Sequence, residues 1–490
     1  MGKNWFFGLT VLLLACILLL VSCGEKAVTG DNSGTDDPQS PGGDAADGAT
    51  EPALKDAPRD SLPEMDFGGY VFKILSDDLE FINAKMNFEE ETGDILNDSI
   101  YARNRKIEER FNIVIKEDEG VAKIKNIVKS GSDEYSIFTY WCATMLSYFV
   151  EGLGYKFPEY SLYIDLERPY WNSGITGAMT FGGEVLFPIG ASCLPSYDYT
   201  HVLLFNKQMV TDFALENPYN IVASGGWTFD RYGELAKAAI RDLDGNGIMD
   251  DKDIYGYVAM PKYILPIFWV AAGVESIVNP SGGLPEFNLR SNERFASAVA
   301  KAYAITYDNN SWYRYFGAED LTPATDWLFM NDRSLFFDCT FKRIVDMRRM
   351  DTDFGILPYP KYDESQSAYY TFMEGCDPFM IPVTVANPEK IGAIMEALTC
   401  ESYNSVIPVY YDISLKTKHA RDEESADMID LIFSNCVFDL GNTLWSMPVR
   451  DGFVFTMFKK NNRNVASELE KAEPQVNREI TKTLKALGLG

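Results

Sequence analysis

Histidine is almost missing from this chain: two residues, His201 and His419, in 490. They stand in unrelated surroundings, and each reads as a packing or surface residue rather than a ligand. Basic charge is scarce too. Forty-four Lys and Arg face 72 Asp and Glu, a net charge of −28. Without clustered cations no counterion release can drive binding to a polyanion, so nucleic acid is excluded as a partner. No two cysteines stand at CxxC spacing, which removes zinc ribbons and thioredoxin-like redox motifs. No GxSxG elbow, HExxH helix or Walker loop occurs, and no internal repeat. The longest apolar run, from Phe6 to Val21, is broken by Gly8, Thr10 and Cys16 and falls short of the roughly 20 residues a spanning helix needs.

That run carries a different message. Lys3 precedes it, and Leu20-Val21-Ser22-Cys23 follows: apolar, small, then cysteine. This is the lipobox pattern, in which the cysteine thiol takes a diacylglyceryl group and the signal is cut just before it. Residues 1–22 therefore read as a lipoprotein signal peptide, and Cys23 as the lipidation site on the extracellular face of the cell membrane. Residues 23–66 read as the lipidated cysteine and a flexible acidic tether. From Gly24 to Asp66 there are eleven acidic residues against three basic ones and few large apolar ones, too little buriable surface to offset the entropy of ordering. From Phe67 onward the chain is too long for one core, so two lobes are expected. Cys142, Cys193, Cys339, Cys376, Cys400 and Cys436 read as buried thiols, since a core of this size needs no disulfide staples.

Strand and helix patterns alternate, which argues for an α/β fold with mainly parallel sheets. Tyr70–Leu75, Ile113–Lys116 and Tyr135–Tyr140 read as strands, and Asn97–Phe111 as a helix capped by Asn97. Glu184–Gly190 and Thr200–Lys207 read as strands that cross between lobes. Thr228 caps a helix reaching Arg241, with Tyr232, Leu235, Ala236 and Ala239 on its apolar stripe. Asn387-Pro388 opens another, Asp422 caps a third, and Gly488 stops a last one that buries Val476, Ile480, Leu484 and Leu487.

Between the Thr228 helix and a strand at Ile254–Val258 lies Asp242-Leu243-Asp244-Gly245-Asn246-Gly247-Ile248-Met249-Asp250-Asp251-Lys252-Asp253. Oxygen side chains fall at loop positions one, three, five, nine and twelve, with glycine at six, the spacing of an EF-hand loop with Asp at the last position. Carboxylates packed this closely repel one another unless a cation sits among them. A structural Ca2+ is expected, held by Asp242, Asp244, Asn246, the carbonyl of Ile248, Asp250 and Asp253. Aromatic residues make up 13% of the chain. Their rings can stack on the apolar faces of sugars while neighbouring polar groups meet the hydroxyls. Trp141, Trp269, Trp312, Trp327 and Trp445 are candidates for that role.

Taken in order, several stretches resemble one family, the extracellular solute-binding proteins of ABC importers in the group that includes maltose-binding protein. Phe187-Pro188 and Leu204-Phe205-Asn206-Lys207 look like its crossing strands. Gly226-Trp227-Thr228-Phe229-Asp230 leading to Tyr255-Gly256-Tyr257 is similar to its "WTWD … YG" region. Phe354-Gly355-Ile356-Leu357-Pro358-Tyr359-Pro360 is similar to its "GxxPxP" strand, and Asn387-Pro388-Glu389-Lys390 to its return into the first lobe.

The resemblance implies a two-lobed periplasmic-binding-protein-like fold with a hinged ligand cleft. Residues 67–189 and 371–437 would form lobe 1, and 190–370 and 438–490 lobe 2. It also implies a monomer that captures a carbohydrate, an oligosaccharide in particular, and hands it to a membrane permease without chemistry. The ligand-binding positions it implies are Asp77, Asp78, Trp141, Ser192, Phe268, Trp269, Thr340 and Asp377, with Trp141 and Trp269 at strand ends. Around Trp141, Cys142-Ala143-Thr144-Met145 lacks the charged residues of the maltose-binding pattern. The alternatives are a surface-anchored polysaccharide hydrolase working through a carboxylate pair and an adhesion module with a flat exposed patch.

Overall fold

Two four-stranded sheets frame the protein. The computed structural model describes residues 57–77, 82–280, 283–314, 322–347, 349–410 and 423–490; the signal segment, Cys23, Asp78, His419 and Asp422 lie outside the described residues. In the first sheet β1 (Tyr70–Ser76) lies between β2 (Ile113–Glu119) and β3 (Ile137–Thr139), parallel to both, and β8 (Phe379–Met380) runs antiparallel to β3. The second contains β4 (His201–Asn206), β5 (Tyr255–Val258), β6 (Ser334–Thr340) and β7 (Phe354–Leu357) in the order β7-β4-β6-β5. There β6 and β5 are parallel, and β4 opposes both of its neighbours.

Each sheet thus holds three co-directional strands and one reversed strand, where the sequence suggests mainly parallel pairing. The reversed strand is in both cases the first laid down after the chain leaves the other sheet. A strand arriving from that side enters at the carboxyl edge of its new neighbours and must run against them. The register shows this directly: His201, the first residue of β4, pairs with Thr340, the last of β6, and Phe379 pairs with Thr139. The preceding crossing is less regular than expected. Only Glu184–Val185 is strand, in a hairpin with Thr180–Phe181. Beyond it Pro188 has no N–H to donate, and pairing resumes only at the Trp171–Gly190 bridge.

Helices pack around the sheets from caps that the sequence largely announces. α1 (Ile95–Phe111) is capped by Asp94, whose carboxylate accepts from the amides of Leu96 and Asn97. Asn97 is therefore a first-turn residue, while Ile100, Asn104, Ile107 and Phe111 are buried as their spacing predicts. α2 (Cys142–Val150) follows β3. α3 (Phe229–Ala239) is capped by Thr228, which accepts from Arg231 N, and α4 (Pro261–Ala271) starts on a proline. α5 (Pro388–Glu401) is capped by Asn387, and α7 (Val465–Leu487) ends at Gly488 in the left-handed region that glycine tolerates best. The carboxyl-terminal elements tie the halves together: α6 (Glu423–Ser434) packs on β7, and α7 packs on α2. All six cysteines of the body are free thiols, five of them buried.

The folded body begins earlier than Phe67. Asp60 receives both arms of Arg110 at 2.6 and 2.7 Å, and Pro58 O accepts from Asn404 Nδ2 at 2.9 Å. Leu62 and Met65 pack into the first-sheet core beside Phe67, whose ring stacks on Phe111 at 5.5 Å. A mostly polar stretch is held here by its few apolar side chains and one bidentate ion pair. A chain starting at residue 67 is therefore expected to unfold about 1–3 kcal/mol more easily in urea than one starting at residue 57. Equal midpoints would show that these ten residues contribute nothing to the fold.

Candidate ligand-binding cleft

Because the reversed strands begin where their neighbours end, residues from both sheets' carboxyl edges converge on one cleft, the place where open α/β sheets present ligand sites. It has two chambers. The inner one, about 370 Å³, is lined by His201, Tyr263, Asp326, Asp338, Thr340 and Arg343 among others. The outer one, about 510 Å³, is lined by Tyr140, Trp141, Thr144 and Ser147 on one side and by Ser446, Met447, Arg450 and Asp451 on another. Tyr199, Lys262 and Glu374 line both chambers and form the partition between them.

Trp141 leaves the end of β3 and precedes α2. Its ring lies against Gly375, where a Cβ would overlap the indole, and meets Tyr199 edge-on at 5.0 Å. With Tyr140, these rings give the outer chamber its aromatic wall.

The partition is a network of charges. Tyr263 OH donates to Glu374 Oε1. Nε2 of His201 faces Glu374 Oε2 at 3.5 Å, and the Arg450 guanidinium stands 4.0 Å from Oε1. Burial works to raise this carboxyl, but His201, Arg450 and Lys262 together hold it below its ordinary value. On its other side His201 Nδ1 meets Asp338 at 2.9 Å, and Tyr359 OH donates to the same carboxylate at 2.8 Å. Desolvation alone would lower the imidazole; Asp338 and then Glu374 overcome it and raise it to about 9. Arg343 pairs with Asp326 in the inner chamber. The cleft thus offers ring faces for stacking and charged hydrogen-bonding groups already fixed in pairs.

Trp141 and Thr340 line the cleft, in the outer and inner chambers respectively. Asp77, half-buried beyond β1, lines neither. The expectation for Phe268 and Trp269 is corrected: they lie within α4, not at a strand end. Trp269 is fully buried edge-on to Phe295 at 5.5 Å, and Phe268 packs on Phe229 at 4.8 Å. A helix apolar on every side belongs to the core. Ser192 and Asp377 share a separate cavity of about 20 Å³, where Ser192 Oγ meets Thr399 Oγ1 at 3.1 Å. Sequence reasoning passed over His201, Glu374, Lys262, Tyr263 and Arg450. Lys262 and Tyr263 follow soon after β5, so the strand-end rule applied there would have found them; nothing local marks Arg450.

The acidic loop after α3 gathers Asp242, Asp244 and Asp253 with their oxygens within 4.8 Å of one another. Asp242 accepts from Gly245 N and Gly247 N, both at 2.8 Å, and Asn246 Oδ1 from Ile248 N at 2.6 Å. Buried Asp253 accepts from Leu243 N and Asp250 N, each at 2.9 Å. The Arg241–Ile254 bridge closes the loop's base, and β5 follows as the sequence suggests.

Asp377 makes a testable case in its small cavity. Its Oδ1 is enclosed without a hydrogen-bond partner among the described residues, and burial, then Asp198, push the carboxyl up to about 8. Such an acid stays neutral in the folded chain while the unfolded chain ionises. Its stabilising share is complete below about pH 4 and declines by up to about 1.4 kcal/mol per unit as pH rises towards 8. Asp377→Asn, neutral throughout, is expected to gain thermal stability relative to the parent between pH 4 and pH 8. Parallel pH profiles would mean that the carboxyl is ionised and compensated.

No family sequence model and no curated protein matches the chain. Solved structures do. An ABC substrate-binding protein from Listeria monocytogenes in complex with cycloalternan superposes with a TM-score of 0.52 at 13% identity, covering 86% of this chain and 100% of its own. The maltose/maltodextrin-binding domain from Bdellovibrio bacteriovorus bound to maltotriose gives 0.52 at 14%, covering 84% and 100%. A family 1 extracellular solute-binding protein from Bifidobacterium longum subsp. infantis gives 0.54 at 12%, covering 84% and 99%. The likeness is one of architecture: this chain has the α/β, two-lobed, periplasmic-binding-protein-like fold in its maltose-binding-protein-like form.

Proposed function

We propose that this protein is the substrate-binding component of an ABC importer, capturing a carbohydrate, an oligosaccharide in particular, in the cleft between its lobes. The observation that carries the reading is the pairing of an aromatic wall, Tyr140, Trp141 and Tyr199, with the polar partition at Glu374 and Lys262, where Tyr263 donates to Glu374. Rings take the apolar faces of sugars and paired ions take their hydroxyls. Solved neighbours described with cycloalternan and maltotriose support the ligand class and favour capture over hydrolysis. Closure of the lobes about the crossing segments would bury the ligand. The protein would work as a monomer, held by a lipid on Cys23 at the extracellular face of the membrane beside its permease. Ca2+ bound by Asp242, Asp244, Asn246, the Ile248 carbonyl, Asp250 and Asp253 would neutralise the acidic loop and fix α3 to β5.

Thermal unfolding of residues 57–490 against a panel of oligosaccharides, maltotriose, longer maltodextrins and cycloalternan among them, tests the main reading. A hundredfold excess over Kd should stabilise the fold by about 2.7 kcal/mol, and Trp141→Ala should weaken affinity at least tenfold, about 1.4 kcal/mol. If no oligosaccharide shifts the midpoint, the solute is not a sugar; if the sugar is shortened during the assay, the hydrolase reading takes over. For the loop, chelating calcium should lower the parent's midpoint and leave Asp242→Asn unmoved. A parent indifferent to chelation removes the metal from the proposal.

A further inference from the structure

We infer that His201 is the positioning residue of this cleft: an imidazolium that aims the Glu374 carboxylate across the partition, where it accepts hydrogen bonds from the hydroxyls of a neutral sugar. What the inference says of the ligand rests on the binding role proposed above. What it says of the imidazole does not.

The argument begins with topology. As the first residue of reversed β4, His201 lies beside Thr340 at the carboxyl edge of β6, so its ring projects among groups that meet at the partition. Its two nitrogens face two different acids. Nδ1 meets Asp338 at 2.9 Å; Nε2 is buried and stands 3.5 Å from Glu374 Oε2. An unprotonated nitrogen would aim a lone pair at a carboxylate oxygen, so two flanking acids call for N–H on both sides. The ring is fixed in place: Tyr263 meets it edge-on at 4.8 Å, and Phe372 covers it at 4.9 Å.

The surrounding charges divide between the two acids. Tyr359 OH donates to Asp338, while Arg450 and Lys262 act on Glu374. These two cations oppose a charge on His201, but Asp338 lies closer and the imidazole is raised to about 9. With only 1% of its surface exposed, His201 is poorly placed to meet a ligand. Glu374 lines both chambers, and its Oε1 is held by Tyr263. That leaves Oε2 to be steered by the imidazolium. An anionic sugar would meet a fixed negative charge at this point, whereas a neutral one meets an acceptor.

The imidazole can be read without a ligand. Only two histidines occur, so long-range 1H–15N correlations in the His419→Gln chain report His201 alone. Both ring nitrogens should be protonated from pH 6 to 8, and Glu374→Gln should lower the titration midpoint by at least one unit. A neutral single tautomer at pH 7, or a midpoint unmoved in Glu374→Gln, overturns the inference. With maltotriose as probe, parent affinity should fall as pH rises through about 9, because the imidazolium is lost there. His201→Gln should bind at least tenfold more weakly with a flat profile, while Trp141→Ala weakens binding but keeps the slope. A His201→Gln profile matching the parent's also overturns the inference. If the parent binds no oligosaccharide, the carbohydrate reading falls and the imidazole spectra still decide the positioning role.

Discussion

A carboxylate on the floor of a cleft loses most of its water, and Glu374 keeps its charge because three cations and a phenol face it. These partners come from three parts of the chain: His201 from the start of β4, Lys262 and Tyr263 from α4, Arg450 from the carboxyl-terminal segment. A buried ion left without its partner is far less favourable than one never buried. The acid therefore fixes where these segments must meet. Trp141 depends on the same segment, because its indole rests on Gly375, the residue after Glu374.

The chain can satisfy that constraint because of how it crosses between sheets. A strand that enters a sheet from the far side begins at the carboxyl edge, so the first residue of β4 lies level with the last of β6. Strand ends usually supply ligand-binding loops; here a strand start supplies the central imidazole. The same reversal in β8 brings the return segment, with Glu374 and Asp377, next to the end of β3. Two crossings thus place four chain segments at one edge without any long loop.

Much of the fold was legible because it is written locally. The β1 and β7 strands are short apolar runs and β2 opens on one, Thr228 and Asn387-Pro388 are caps with their own hydrogen-bonding logic, and Gly488 supplies a left-handed stop. Trp141 reached the cleft because the end of β3 could be read. Phe268 and Trp269 read as strand-end residues because α4 is buried on all sides from Tyr263 onward, so no polar face marks its period, and Ala272-Gly273 after it looks like a loop. The first ten residues of the body read as tether because Leu62, Met65 and Asp60 find their partners far away in sequence. The partition was unreadable for the same reason. His201 and Asp338 are 137 positions apart, and an ion pair across such a distance leaves no periodic trace.

Charge balance explains why the cleft is built from pairs. The chain as a whole carries −28, and a field of that sign repels anions while leaving neutral solutes unaffected. Inside the cleft the balance differs: His201, Arg343 and Arg450 face Asp338, Asp326, Glu374 and Asp451 at contact distance. Ions so engaged have little long-range field, so beyond the contact at Glu374 the cleft selects little by net charge. It can select by geometry, since each paired group is held in one orientation and its remaining hydrogen-bonding capacity points in a fixed direction. A hydroxyl-rich, uncharged solute is the chemistry that such a site can distinguish, because its identity lies in where its donors and acceptors are.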